Sequence, residues 1–164
     1  MIGDVITAMI AYYKGEAGRI NHFLKVYAFA KSIGEREGLD AAAQQVLEVA
    51  AVTHDIGIKP SEQKYNSCAG PYQEQEGPPV ARAMLRELGF PGELVERVCY
   101  LIGRHHTYTD IDGLDYQILV EADFLVNLFE DQSSLPAILS VRDKIFRTQT
   151  GKTYLDDLFL PAAE

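Results

Sequence analysis

Residues 40–57 read DAAAQQVLEVAAVTHDIG, and the reading of this stretch decides the fold. Asp40 is a natural N-cap, because its carboxylate can accept a hydrogen bond from the free N–H groups of a first helical turn. Ala, Leu and Val then fill a helix over roughly residues 41–55. That helix ends on His54-Asp55, and Gly57 releases it directly afterwards. His54 lies one turn beyond Ala50 and Ala51, and Asp55 one turn beyond Ala51 and Val52, so both polar side chains continue an apolar face. A carboxylate on such a face costs several kcal/mol unless a cation or strong hydrogen bonds compensate it.

Working outward, helical spacing recurs on both sides. Residues ~2–13 form a short amphipathic segment ended by Gly15. From Arg19 to Ile33, the residues His22, Val26, Phe29 and Ile33 share a stripe, and Gly34 closes the run. Residues ~56–77 hold several Gly, Pro and polar residues and read as one long irregular connection, the kind of loop that is usually functional or mobile. Pro78-Pro79 then open a helix over ~79–88, with Gly89 and Pro91 beyond its end. A segment over ~91–106 carries Leu94, Val98, Leu101, Ile102 and His105 on one side. After the polar turn TYTDIDGLD, a helix over ~115–130 runs through Asp123, and a last one follows over ~135–147. Leu155, Leu158 and Leu160 suggest a docked tail ending near residue 160. With no alternating strand and no internal repeat, the expected architecture is an all-α helical bundle, one domain over residues 1–164.

Composition agrees with a globular chain: of 164 residues, 47% are hydrophobic and 24% charged. The formal net charge of −9 argues against a nucleic-acid polymer or an anionic membrane as main partner. A phosphate-bearing ligand would therefore need local positive charge, from a metal or from selected Arg and Lys residues. Cys68 and Cys99 lie far apart, match no CxxC or zinc-ribbon spacing, and read as reduced thiols. The opening MIGDVITAMIAYYKGE has no basic leader and falls far short of the ~20 apolar residues that span a bilayer. A cytoplasmic location is the expectation.

All four histidines, His22, His54, His105 and His106, fall in apolar segments. Asp123 has Leu119 and Val120 a turn before it and Val126 after it. Two acids on apolar faces near two histidines are accounted for economically by a divalent metal held between three helices, as in bundle-core metal sites.

The order His22, THDIG with His54-Asp55, GRHH and then Asp123 resembles the HD-domain superfamily of metal-dependent phosphohydrolases, over about Arg19 to Asn127. The resemblance implies a helical bundle in which His22, His54, Asp55 and Asp123 bind one divalent metal (Mn, Mg, Fe, Co, Ni or Zn). That metal would polarise a phosphoryl oxygen and acidify a water for attack on phosphorus. Two-metal members carry a further histidine after the loop, where this chain has Gln73, so a second metal is not expected unless Glu74 or Glu76 substitutes. Both of those acids read as loop surface. Adjacent helical residues point about 100° apart, which makes His105 the inward one, a phosphate contact, and leaves His106 at the rim. Arg19, Lys59 and Arg104 are the candidate phosphate contacts, and Asp55, His105 and Glu62 the candidate catalytic groups. Tyr65, Tyr72 and Tyr108 either stack on a nucleobase or pack their loops.

Two readings follow. The first is a phosphohydrolase acting on a small phosphorylated molecule, a nucleotide first, as a monoester or a diester. The second is a non-catalytic module that keeps the metal as a strut and binds a nucleotide, a signal molecule or a partner protein. A homodimer is compatible with either.

Overall fold

The computed structural model describes residues 1–162, over which nine α-helices and no strand form. They are α1 (Ile2–Tyr12), α2 (Ala17–Arg36), α3 (Ala41–Thr53), α4 (Ile58–Tyr65), α5 (Gly70–Glu87), α6 (Gly92–Ile102), α7 (Leu114–Glu130), α8 (Leu135–Lys144) and α9 (Gln149–Phe159). The all-α expectation is met. Among the described residues no helix is long and apolar enough to cross a membrane.

α3 and α7 carry long unbroken runs of buried residues, and they form the centre. α3 buries every residue from Val49 to Thr53, and α7 buries Ile118 to Asp123 without a break. A helix apolar on most faces must be covered on most faces. Accordingly α2, α6 and α1 pack on α3, while α2 and α9 pack on α7. Asp40 caps α3 as its sequence foretells, accepting from Ala43 N at 2.8 Å. α2 runs past Gly34 to Arg36 and stops at Gly38, whose φ of +79° is left-handed. The C-terminal tail is itself a helix, α9, entered through a Thr148 cap.

The largest departure from the sequence reading is residues 56–77. Instead of an irregular connection, they hold α4 and the first half of α5. Pro71 sits in the first turn of α5, where a missing N–H costs nothing. Pro78 and Pro79 lie inside that helix rather than opening it. What makes the segment read as a loop is what lets it pack. A Cβ on Gly57 would lie 2.6 Å from the Gln73 carbonyl oxygen and 2.8 Å from the Gly77 nitrogen, so the two backbones are in contact there. A Cβ on Gly77 would in turn meet Ile102 at 2.7 Å. Glycine is therefore required for close approach, not only for releasing α3. Gly57→Ala is expected to cost about 1–3 kcal/mol through overpacking, read from urea unfolding. A variant as stable as the parent would contradict this contact.

Candidate metal centre

Three helices deliver one cluster of donors. His22 projects from α2, His54 and Asp55 from the end of α3, and Asp123 from α7. His22 Nε2 lies 3.1 Å from Asp123 Oδ1, 3.2 Å from Asp55 Oδ2 and 3.3 Å from His54 Nε2. His54 Nε2 lies 3.3 Å from Asp123 Oδ1 and 3.4 Å from Asp55 Oδ2. The far side of each ring is already committed. His54 Nδ1 is 2.7 Å from the Ala51 carbonyl oxygen, and His22 Nδ1 is 2.9 Å from Glu130 Oε2. A carbonyl or carboxylate only accepts, so each Nδ1 carries the proton. In the neutral rings both Nε2 atoms then present lone pairs to each other and to two carboxylate oxygens. Four electron-rich atoms facing one another in a buried pocket need a cation between them, and these donor types fit a divalent metal.

Asp55 divides its oxygens. Oδ2 faces His22 and His54, while Oδ1 is 3.5 Å from His105 Nε2. His105 Nδ1 is tied to the Ile102 carbonyl at 2.7 Å, and its buried Nε2 has no hydrogen-bond partner among the described residues. His106 joins this side: one donor atom each from Asp55, His105 and His106 fall within 4.8 Å of one another, as do those of His22, His54 and Asp123. Here the sequence expectation is corrected. α6 ends at Ile102 and residues 103–106 run on as turns, so the helical 100° separation of adjacent side chains does not apply to the two histidines. Gln73 stands beside His106. Its Nε2 donates to the Cys68 carbonyl at 2.6 Å, which leaves Oε1 to accept from His106 Nε2 at 3.1 Å. Burial, then His105, pushes the His106 pKa down to about 4, which keeps that ring neutral.

Electrostatics tell the same story. Burial disfavours charge on His54, but Asp55 and Asp123 outweigh it and hold its pKa well above 6.5. His22 is raised in the same way, against burial, chiefly through Asp123. Burial likewise pushes both carboxyls up, yet His54 and its neighbours hold Asp55 and Asp123 below the usual carboxylate range. A histidine whose pKa rises on folding stabilises fully below its unfolded value near 6.5 and loses that contribution as pH rises through the folded value. Chelator-treated protein should therefore lose stability on the alkaline side. An added metal takes the place of those protons, so the metal-induced rise in Tm should be larger at about pH 8 than at about pH 6. Equal rises at both would count against the cluster as the site.

The structure brings together only part of the expected set. Arg19 lines the cleft leading to His22, but its guanidinium is held by Glu62 at 2.6 Å and Glu16 at 3.2 Å. Glu62, exposed, is thus that arginine's partner. Lys59 turns away, donating to the Tyr12 carbonyl at 3.0 Å. Arg104 is exposed and stacks 4.0 Å over the Tyr100 ring. Tyr65 and Tyr72 stack on each other at 4.1 Å, and Tyr108 packs on Phe124. Neither Glu74 nor Glu76 is a loop acid. Glu76 is buried in α5 against Lys64 and Tyr65, and Glu74 Oε1 accepts from His106 N and Thr107 Oγ1, which pins the turn that carries His105 and His106.

Sequence reasoning missed Glu130 and Lys25. Glu130 stands seven residues after Asp123 on α7, two turns along the same face, and Lys25 stands three after His22. Those spacings were the available signal. Tyr12 and Tyr13 were also missed; their hydroxyls donate to the Ile56 and Asp55 carbonyls at 3.1 and 2.6 Å, so α1 braces the turn that carries Asp55.

A family model described as HD domain matches residues 19–146. Among solved structures, a predicted HD superfamily hydrolase from an uncultured Thermotogales bacterium is similar, at 28% identity and a TM-score of 0.64. The match covers 95% of this chain and 82% of that one. The comparison with curated proteins gives no match.

Proposed function

This chain belongs to the HD-domain family, and from that premise we propose that it is a metal-dependent phosphohydrolase of small phosphate esters, nucleoside monophosphates first among them. The observation that carries the reading is the meeting of two Nε2 lone pairs with Asp55 Oδ2 and Asp123 Oδ1 in one buried cluster. When bound there, a divalent metal supplies Lewis acidity toward a phosphoryl oxygen and acidifies water.

The chain's own groups do the rest. His22, His54, Asp55 and Asp123 would hold that metal. Glu130 fixes His22 in the tautomer with Nε2 unprotonated, a positioning role. His105 Nε2, buried and without a hydrogen-bond partner among the described residues, can accept a proton or act as a ligand. The expectation of one metal rested on Gln73 replacing a histidine. Asp55, His105 and His106 make a second set without any residue at that place, with Gln73 holding His106, and we extend the proposal to a second ion there. Lys25 and Lys59 are engaged by other groups and Arg104 lies over Tyr100, whereas Arg19, held by Glu62 and Glu16, keeps a buried Nη1 without a hydrogen-bond partner among the described residues, at the wall of the cleft. Positive charge for the phosphate then comes from the metal and this one guanidinium, which favours a single phosphoryl group over a triphosphate.

The test is a panel of nucleoside mono-, di-, tri- and cyclic phosphates with Mn, Mg, Fe, Co, Ni or Zn. Monophosphate hydrolysis that chelator abolishes and metal restores is the expected result. A fully metallated protein inert on the whole panel would overturn the enzyme reading in favour of a metal-bearing binding module.

A further inference from the structure

Beside the His22 cleft the surface turns apolar. Phe129 is 69% exposed and Leu158 is 50% exposed, unusually open for such side chains. With Phe29, Leu125, Val126 and Phe159 they line a pocket of ≈ 320 Å³ between α2, α7 and α9. That volume falls within the range of about 300–1,000 Å³ typical of small-molecule sites.

The pocket meets the metal cleft, itself ≈ 440 Å³, at Lys25, which lines both. Lys25 Nζ is 3.0 Å from Glu130 Oε1 and 5.9 Å from the Phe129 ring centre, and Glu130 Oε2 reaches His22 Nδ1 at 2.9 Å. A continuous row therefore runs from His22 through Glu130 and Lys25 to Phe129. Along α2, Lys25 and Phe29 stand roughly 4.5 and 10.5 Å beyond His22. The apolar wall thus begins about one helical turn along α2 from His22, at the residue that lines both spaces.

We propose that this pocket holds the flat aromatic end of the substrate, the base of a nucleoside monophosphate, while its phosphate lies at the His22–Asp55 cluster. The proposal rests on the phosphohydrolase reading. The exposed face of Phe129 is a stacking platform, and base–aromatic stacking needs no matched edge. Apart from Lys25, the wall offers no charged group to read a base's edges, so purines and pyrimidines should be treated alike. A second copy seated on the same face would cover Lys25 and Glu130, the lip of the cleft, which argues for a small occupant.

The test compares adenosine 5′-monophosphate with ribose 5-phosphate, which share the same primary-alcohol leaving group. kcat/KM should favour the nucleotide about tenfold or more, mainly through KM, and Phe129→Ala should shrink that ratio about tenfold. Calorimetric titration of the metal-loaded protein with the same two compounds should give matching changes in Kd, independent of turnover. If neither compound is hydrolysed but the Kd difference and its loss in Phe129→Ala persist, the phosphohydrolase reading fails and the subsite stands. Equal constants for the two compounds, or a ratio that Phe129→Ala leaves alone, would overturn the subsite. A dimer that this variant splits in light scattering, at an unchanged ratio, would overturn it in favour of a subunit interface.

Discussion

Asp55→Asn is expected to lower kcat/KM for the best phosphate ester by at least about a thousandfold, since metal chemistry contributes several kcal/mol to such a transition state and each ~1.4 kcal/mol is a factor of ten. Asp55 divides its oxygens between the two donor sets, Oδ2 toward His22 and His54 and Oδ1 toward His105. Asparagine keeps the shape, but it removes the negative charge and puts an N–H into one of the two sets. Both sets should weaken together, so metal content after gel filtration should fall along with the rate. The fold should survive, because the Tyr13 bond to residue 55 uses the backbone carbonyl. Far-UV circular dichroism separates the cases: a native spectrum with less metal and little activity is the expected result. Activity within about tenfold of the parent would remove Asp55 from the centre.

Glu121→Ala should produce the largest loss of stability, about 3–5 kcal/mol, equivalent to roughly 10 °C in Tm for a chain of this size. Glu121 is fully buried, and its carboxylate accepts from Gln117 Nε2 at 2.6 Å, Thr148 Oγ1 at 2.6 Å, and the backbone N–H groups of Arg147 and Thr148, each at 3.1 Å. Alanine would strand the Arg147 and Thr148 donors at the entry to α9 and leave Gln117 Nε2 with the Ile145 carbonyl, at 2.9 Å. Two residues on a helix are about 200° apart, so Glu121 and Asp123 serve opposite sides of α7: one anchors the C-terminal helix and the other faces the cluster of His22, His54 and Asp55. Metal affinity per folded molecule should therefore change far less than Tm does. Glu121→Gln, which keeps an acceptor, should lose less. A melting temperature within about 2 °C of the parent in Glu121→Ala would show that the donors find water instead.

Much of the fold and the first donor set was legible in the sequence. Periodicity marked α2, α3, α6 and α7, Asp40 marked a cap, and the stripe from His22 to Ile33 put that histidine on an inward face. Residues 56–77 were not legible because glycine and proline have two meanings. They break isolated helices, yet Gly57 and Gly77 allow two backbones to touch, and that need arises only once α5 lies against α3's end. His106 was misjudged for a related reason, since the angle between neighbours depends on where α6 stops.

The sequence by itself determined the inward faces of α2, α3, α6 and α7 and the chemistry their side chains carry, because burial on a regular helix follows local periodicity and ligand type follows residue identity. Only the tertiary structure decided what those side chains are for. It paired Arg19 with Glu62, turned Lys59 and Arg104 away from the cleft, set Glu130 behind His22 and Gln73 behind His106, and opened an apolar pocket beside Lys25. The physical reason is range. Helix formation is settled over a few neighbouring residues, whereas the charge, tautomer and reach of a side chain at the centre are set by partners up to 108 positions away along the chain.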